Sequence, residues 1–309
     1  MEKFVIVVYG GAGPDSNFIR ENEKKILEGL EEAVQAGYKI LKDHGKAIDA
    51  VEAAVRSLED NPLFNAGRGS ALTARSEVEM CASIMDGKTL NSGAAAIVRN
   101  VKNPVSLAKS IMNNTHYIFL GDGGALEYAE KINIELKPVS YFITNHRYDE
   151  FEKARIEESQ HVRDVALHEI SQKQHSTVGA VALDMDGNVA AATSSGGTPN
   201  AKPGRIGDSS MIGAGTYADN RTCAVSGTGD GEYLIRQVIA HAISENIRYT
   251  KAGIAEAAQE VIKKQNTDIK GDIGVIGVDH KGEIALEFNS ERMLRAWKKG
   301  HHQTVAKIY

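Results

Sequence analysis

The chain has 309 residues, 42% of them hydrophobic and 25% charged, a balance that suits a soluble globular protein with a substantial core and length for one large or two ordinary domains. Its formal net charge of -5 argues against nucleic acid or an anionic membrane as the main partner, since either would favour a basic patch. No stretch approaches a membrane span, the apolar run near the N-terminus is too short for a signal-peptide core, and Cys81 and Cys223 are too few for a disulfide framework and lack zinc-site spacing, so a cytoplasmic protein is expected.

Residues 4–9 are apolar and β-branched and predict a short buried strand ending in Gly10-Gly11-Ala12-Gly13. A helix is expected from about Arg20 to Asp43, where Ile26, Leu30, Val34 and Leu41 recur at helical spacing and Gly45 marks the end. A second, near Lys46–Glu59, repeats the pattern with Ala47, Val51, Ala54, Val55 and Leu58 until Asn61-Pro62 breaks it. Val78–Met85, Gly93–Val98 and Tyr117–Leu120 read as strands, the last turning through Gly121-Asp122-Gly123-Gly124 into a helix. From about Thr144 to Ser176 the chain is polar and charged, as in a marginal helix within a mobile linker.

Beyond it, strands 177–185 and 188–195 meet across Asp186-Gly187, and Asp272–Asp279 and Glu283–Phe288 form a second hairpin across His280-Lys281-Gly282. Helices are expected at Glu232–Glu245 and Lys251–Lys264, and His301-His302 reads as a solvated pair rather than a metal site. Residues 177–183 and 189–192 are apolar at consecutive positions, so their sheets should be covered on both faces. Hairpins need antiparallel pairing. Together these predict an α/β sandwich of several layers, with stacked sheets inside and helices outside.

The change from polar linker to apolar strand is abrupt at Ser176-Thr177, and a hydroxyl residue comes first. This suggests a chain that cuts itself there, although a buried strand that merely begins with Thr has the same local pattern. A threonine at a new N-terminus carries its own base, because a free α-amine with a pKa of about 7.7–8.0 can take the hydroxyl proton. Four polar clusters accompany it in small-residue loops: Asn65-Ala66-Gly67-Arg68-Gly69-Ser70, Thr193-Ser194-Ser195-Gly196-Gly197, Pro203-Gly204-Arg205-Ile206-Gly207-Asp208-Ser209 and Ser226-Gly227-Thr228-Gly229-Asp230-Gly231-Glu232. The last has the form of a phosphate cradle at a helix start but lacks the P-loop lysine.

Taken in order, these clusters resemble the plant-type (type III) L-asparaginases and isoaspartyl peptidases of the N-terminal-nucleophile hydrolases. The resemblance runs over nearly the whole chain. It takes in Gly10-Gly11-Ala12-Gly13, Leu58-Glu59-Asp60-Asn61-Pro62-Leu63-Phe64-Asn65-Ala66-Gly67, Val78-Glu79-Met80 with Ala82-Ser83-Ile84-Met85-Asp86-Gly87, and Thr177-Val178-Gly179-Ala180-Val181-Ala182. Gly204-Arg205-Ile206-Gly207-Asp208-Ser209 and Thr228-Gly229 before Gly231-Glu232 complete it.

The resemblance implies a four-layer αββα sandwich, a single domain over 1–309 that cleaves itself between Ser176 and Thr177 into an α chain (1–176) and a β chain (177–309), assembled as a homodimer of such pairs. Thr177 would be the nucleophile, Ser195 and Thr228 would contact it, and Thr228 with the Gly229 amide would form the oxyanion hole. Asn65 would orient the Thr177 amine, and Arg205 and Asp208, with Gly231 beside them, would clamp the substrate. An Arg fork binds a carboxylate and an Asp complements an ammonium, so the ligand expected is a free α-amino acid head. L-asparagine and isoaspartyl dipeptides both have one and present a β-carbonyl. No cofactor is required. The resemblance also implies a sodium loop of main-chain carbonyls at Leu58, Glu59, Asn61, Phe64, Ala66 and Arg68.

Four positions depart from the usual pattern. Ser176 stands in place of Gly, which bears on the rate of self-cleavage because glycine permits strained backbone. Ser195 replaces Thr and loses a rotamer-fixing methyl. Tyr9 replaces a His, and Cys81 replaces an Asp, removing a charge near the loop that supports Asn65. The competing readings are a glycosylasparaginase-like hydrolase, for which a secretory signal and disulfides would be expected, a threonine-type endoprotease, and an uncleaved, inactive homologue serving as a binding or scaffold protein.

Overall fold

The computed structural model describes residues 3–161, 176–268 and 271–309. Along the chain, β1 (Val5–Gly13) leads through the short α1 (Asn17–Glu21) to α2 (Glu23–Lys42) and α3 (Ala47–Asp60). The hairpin of β2 (Met80–Asp86) and β3 (Ser92–Val98) precedes α4 (Pro104–Asn114), β4 (Phe119–Gly121), α5 (Asp122–Lys131), the single turn α6 (Val139–Phe142) and α7 (Asn145–His161). Then come the hairpin of β5 (Val178–Leu183) and β6 (Val189–Ser195), a 3-10 turn at Asp208–Ser210, β7 (Thr216–Ala218), β8 (Cys223–Gly229) and α8 (Gly231–Gln237). The chain closes with α9 (Ile239–Thr250), α10 (Ile254–Asp268), the hairpin of β9 (Ile273–Asp279) and β10 (Ile284–Phe288), β11 (Arg292–Lys299) and β12 (Val305–Lys307).

Eight strands form one sheet in the order β12-β11-β1-β5-β6-β2-β3-β4, and four form a second, β10-β9-β8-β7. The layers follow from side-chain alternation. Along the fully buried β1, Ile6 and Val8 pack with Ile26, Leu30, Val34, Val51 and Val55 of α2 and α3, while Val5, Val7 and Tyr9 pack with Ile276 and Val278 of the second sheet. In β9, Val275 turns the other way, onto Ile243, Ala257 and Ala258 of α9 and α10. Both sheets are therefore apolar on both faces, and the result is the expected α/β sandwich of four layers, helices outside and sheets stacked within. Runs of alanine in β3 and β6, and Gly179, Ala180 and Ala182 in β5, keep these layers close. No helix among the described residues is long and apolar enough to cross a membrane.

Three departures from the sequence reading have physical causes. The helix expected over 20–43 breaks at Asn22, whose φ of -109° and ψ of 11° separate α1 from α2. The helix expected over 232–245 breaks at Val238, which takes a left-handed conformation with φ 48°. That is costly for a β-branched residue. It is held there because the amides of Ala240 and His241 bond to the carbonyls of Ala214 and Gly213 rather than continuing α8. Finally, α4 and β11 carried weak signals. The α4 start is marked by Pro104 in its first turn, and β11 is disguised by arginines. Arg295 is nonetheless buried because its Nη1 donates to the Met293 carbonyl at 2.7 Å and its guanidinium lies 4.9 Å from the centre of the Phe288 ring. The polar stretch after Thr144 begins as α7, and residues 162–175 lie outside those described.

Candidate active site

The β5–β6 hairpin pairs Val178 with Ser194 and so sets Thr177 beside Ser195 at its open end. Thr177 is buried, and its Oγ1 donates to Ser195 Oγ at 3.3 Å, which also accepts from the Gly197 amide at 3.0 Å. Asn65, in the connection from α3 to β2, approaches from the other side. Its Nδ2 donates to the carbonyls of Ser176 at 2.6 Å and Gly197 at 2.7 Å, while its Oδ1 accepts from the Ala71 amide at 2.8 Å. Three fixed bonds leave the carboxamide one orientation.

The loop that carries Asn65 is wound tightly round its own carbonyls. Gly67 and Gly69 have φ of 51° and 103°, and a Cβ would fall 2.4 Å from the Glu59 carbonyl oxygen in the first case and 2.6 Å from that of Pro62 in the second. Only glycine serves at these positions. The carbonyl oxygens of Glu59, Pro62 and Phe64 thus crowd against these glycines, with the Glu59 carbonyl also accepting from the Arg68 amide at 2.7 Å. Neutral oxygen donors of this kind suit a hard alkali cation rather than a transition metal. Beneath the turn the Glu59 side chain is fully buried. Its Oε1 accepts from Ser194 Oγ at 2.7 Å and the Val105 amide at 3.0 Å, its Oε2 has no partner among the described residues, and burial pushes its pKa up to about 8.

Thr177, Ser176, Ser195, Arg205, Asp208 and Gly229 line one pocket. At its far side Arg205 Nε and Nη2 donate to the two carboxylate oxygens of Glu232, each at 3.0 Å. Asp208 is 3% exposed, and its Oδ2 has no hydrogen-bond partner among the described residues. Burial raises the Asp208 pKa from 3.8 to about 7, against the opposing pull of Arg205. Gly231 opens α8 hard against this pair, since a Cβ there would lie 2.7 Å from Asp208 Oδ1 and 3.2 Å from Arg205 Nη2. Thr228 stands one step behind the wall, where its Oγ1 accepts from the Ala12 amide at 3.4 Å.

Two residues that sequence reasoning passed over belong here. Glu79 is a buried wall residue whose carboxylate is paired with Arg99 and accepts from the Gly204 amide at 2.7 Å, which anchors the loop leading to Arg205. The signal was present as a lone charge between Val78 and Met80. Glu232, the partner of Arg205, was noticed only as part of a glycine-rich loop. The departures also acquire places: Gly11 lies against Ser176, and Cys81 lies opposite Ser195 across β2 and β6. The Arg205 charge acts on Cys81, and both line the same pocket, so the Asp-to-Cys difference bears on the proposed clamp. Burial holds that thiol above its ordinary pKa, and it acts as a small apolar wall.

Comparison with known proteins finds similarity along nearly the full chain. The family profile described as Asparaginase matches residues 2–307. The isoaspartyl peptidase of Escherichia coli (strain K12) is 42% identical over 312 residues, covering 100% of this chain and 97% of that protein. The isoaspartyl peptidase/L-asparaginase of Bos taurus is 41% identical, covering 94% of this chain and 91% of its own, and that of Homo sapiens is 41% identical, covering 95% and 92%. A profile match from end to end, with relatives this similar, means that the chain belongs to the asparaginase family.

Proposed function

We propose that this protein is a self-activating amidohydrolase that cleaves the β-amide of L-asparagine and of isoaspartyl dipeptides, with Thr177 as nucleophile. The observation that carries the reading is the conjunction of Thr177 Oγ1 with Ser195 Oγ and of Asn65 with the Ser176 carbonyl, at the foot of a pocket walled by Arg205 and Asp208. In the uncut chain Asn65 donates to the carbonyl of the bond to be broken, so it polarises the group that the Thr177 hydroxyl attacks. The attack forms an ester to Thr177 Oγ1 as the C–N bond breaks and its nitrogen takes the hydroxyl proton. Water then hydrolyses the ester to a Ser176 carboxylate, leaving Thr177 with a free hydroxyl and an α-amine, the base for later turnovers. Asn65 then has its Ser176 donor free to orient that amine and keeps its bond to Gly197.

The substrate is read by charge. Arg205 turns its fork to an α-carboxylate, sharing or releasing Glu232, and the orphaned Asp208 oxygen receives the α-ammonium. Held by both, an aspartyl head presents its β-carbonyl to Thr177, with Thr228 and the Gly229 amide beside the developing oxyanion. A preorganised donor there contributes about 10²–10³ in rate. A sodium ion at the carbonyls of 58–68 belongs to the same reading, as a brace for the Asn65 loop. So do a homodimer of cleaved αβ units and the cytoplasm, where two buried, unpaired cysteines are stable.

Purified protein held at neutral pH should resolve into two chains on a denaturing gel, the smaller beginning at Thr177, and should release aspartate from β-Asp-Leu. A single band that persists for days without hydrolysis would instead favour a binding protein built on an inactive copy of the fold.

A further inference from the structure

Between the two sheets, away from the pocket wall, lies a chain of buried hydroxyls that the catalytic reading leaves unused. Tyr9 OH donates to the Gly227 carbonyl and lies 3.1 Å from Ser226 Oγ. Ser226 Oγ is 2.6 Å from Thr193 Oγ1, which accepts from Thr216 Oγ1 at 2.5 Å. Ser83 Oγ is 2.8 Å from Thr216 Oγ1 and 2.7 Å from the Ser209 carbonyl, next to Asp208. All five hydroxyl residues are fully buried. The path crosses from β1 and β8 through β6 and β7 to β2, and so joins the Gly227 end of β8 to the 3-10 turn that carries Asp208.

Its geometry is closed at the Tyr9 end. Gly227 is held on both sides: its carbonyl by Tyr9, and its amide by the Gly215 carbonyl at 2.8 Å, which also accepts from Thr193 Oγ1 at 3.0 Å. Room for the phenol is made by Gly179, where a Cβ would fall 2.6 Å from the Tyr9 ring and 2.3 Å from Ser226 Oγ. The register of β1 shifts between Tyr9 and Gly11, so the next residues also reach the site, Gly11 against Ser176 and the Ala12 amide to Thr228. Burial holds the phenol pKa well above 10, so it remains a donor across the working pH range.

We propose that Tyr9 is a positioning residue for the reaction, fixing the Gly227 carbonyl and through it the Thr228–Gly229 end of β8, with Ser83 carrying the same restraint to the Asp208 turn. The proposal rests on the reading of Thr177 as nucleophile and of Gly229 as an oxyanion donor. The phenol touches no reacting atom; it removes freedom from the strand that must meet the transition state.

The test is Tyr9→Phe, which keeps the ring and deletes the donor, measured on β-Asp-Leu beside wild type, Ser226→Ala, Ser83→Ala and Thr177→Ala, with a thermal melt of each. The expected result is a fall in kcat of about 3–10-fold for Tyr9→Phe, the size of one lost buried hydrogen bond, with KM within about twofold and the gel pattern of wild type. Ser226→Ala should follow it and serves if Tyr9→Phe folds poorly, whereas Ser83→Ala should raise KM more than it lowers kcat. Wild-type kcat in folded Tyr9→Phe, or a loss that tracks only the folded fraction, overturns the proposal. If Thr177→Ala turns over normally, the nucleophile is misassigned and the functional reading itself fails, whatever Tyr9→Phe does.

Discussion

The two sides of the pocket are built from different materials. Around Thr177 the groups are neutral: two hydroxyls, a carboxamide and main-chain carbonyls and amides, each located by strand register or a glycine turn. At the far side the half-buried Arg205 pairs with an exposed Glu232, and Asp208 is buried beside them with one carboxylate oxygen lacking a hydrogen-bond partner among the described residues. Neutral groups can be held rigid at small desolvation cost, which suits the bond-making role proposed for Thr177. A buried charge such as that of Asp208 is unstable until an opposite charge arrives, which suits the recognition of a zwitterionic head proposed here. Chemistry and selection should therefore fail in different ways.

The largest effect belongs to the neutral side. Thr177→Ala should stay whole on a gel and lose about 10⁴-fold or more in turnover; normal aspartate release would end the contrast at once. Asn65→Ala should slow both self-cleavage and turnover by about 10²-fold, read by the time course of chain appearance and by kcat, with KM little changed. On the charged side, Arg205→Ala should raise KM for β-Asp-Leu by about 10–100-fold while kcat falls far less. A substrate with an amidated α-carboxylate should barely notice the change, and an equal loss on both substrates would deny Arg205 its role.

Titration sharpens the same division. With the Asp208 pKa at about 7, the carboxylate needed for an ammonium is lost on acidification, so kcat/KM should fall about tenfold per pH unit well below 7. Stability should move the other way. The folded pKa lies above the unfolded one, so the Asp208 contribution to the fold is fully present below 3.8 and is lost as pH rises through about 7. Asp208→Asn should flatten that fall and abolish binding of the free head. The smallest effect is at Glu59, away from both charges of the clamp. Its pKa, raised from 4.5 to about 8, gives the same sign, and Glu59→Gln should lift Tm at pH 9 by roughly 2–4 °C with little change at pH 5.

The sequence carried much of this. Periodicity located α2 and α3, turn residues located both hairpins, and consecutive apolar positions required sheets covered on both faces. The abrupt boundary at Ser176-Thr177 drew attention to the residue proposed as nucleophile, and the clusters at 65–70, 193–197, 203–209 and 226–232 held Asn65, Ser195, Arg205, Asp208 and Gly229, which the fold gathers round it. These are local signals, written in the chemistry of neighbouring residues.

What lay beyond them depended on partners far along the chain. The break at Val238 has no glycine or proline to announce it and exists because Gly213 and Ala214 offer carbonyls to the first amides of α9. The burial of Arg295 in β11 depends on Phe288 and on main-chain oxygens. The pairing of Arg205 with Glu232, the anchoring of Gly204 by Glu79, and the hydroxyl path from Tyr9 to Ser83 join residues that only the stacking of two sheets brings within reach. Local pattern determined most of the elements and named most of the candidate site residues. The tertiary fold alone decided which polar groups are buried together, because hydrogen bonds and charges are set by distance in space, and a linear pattern does not encode it.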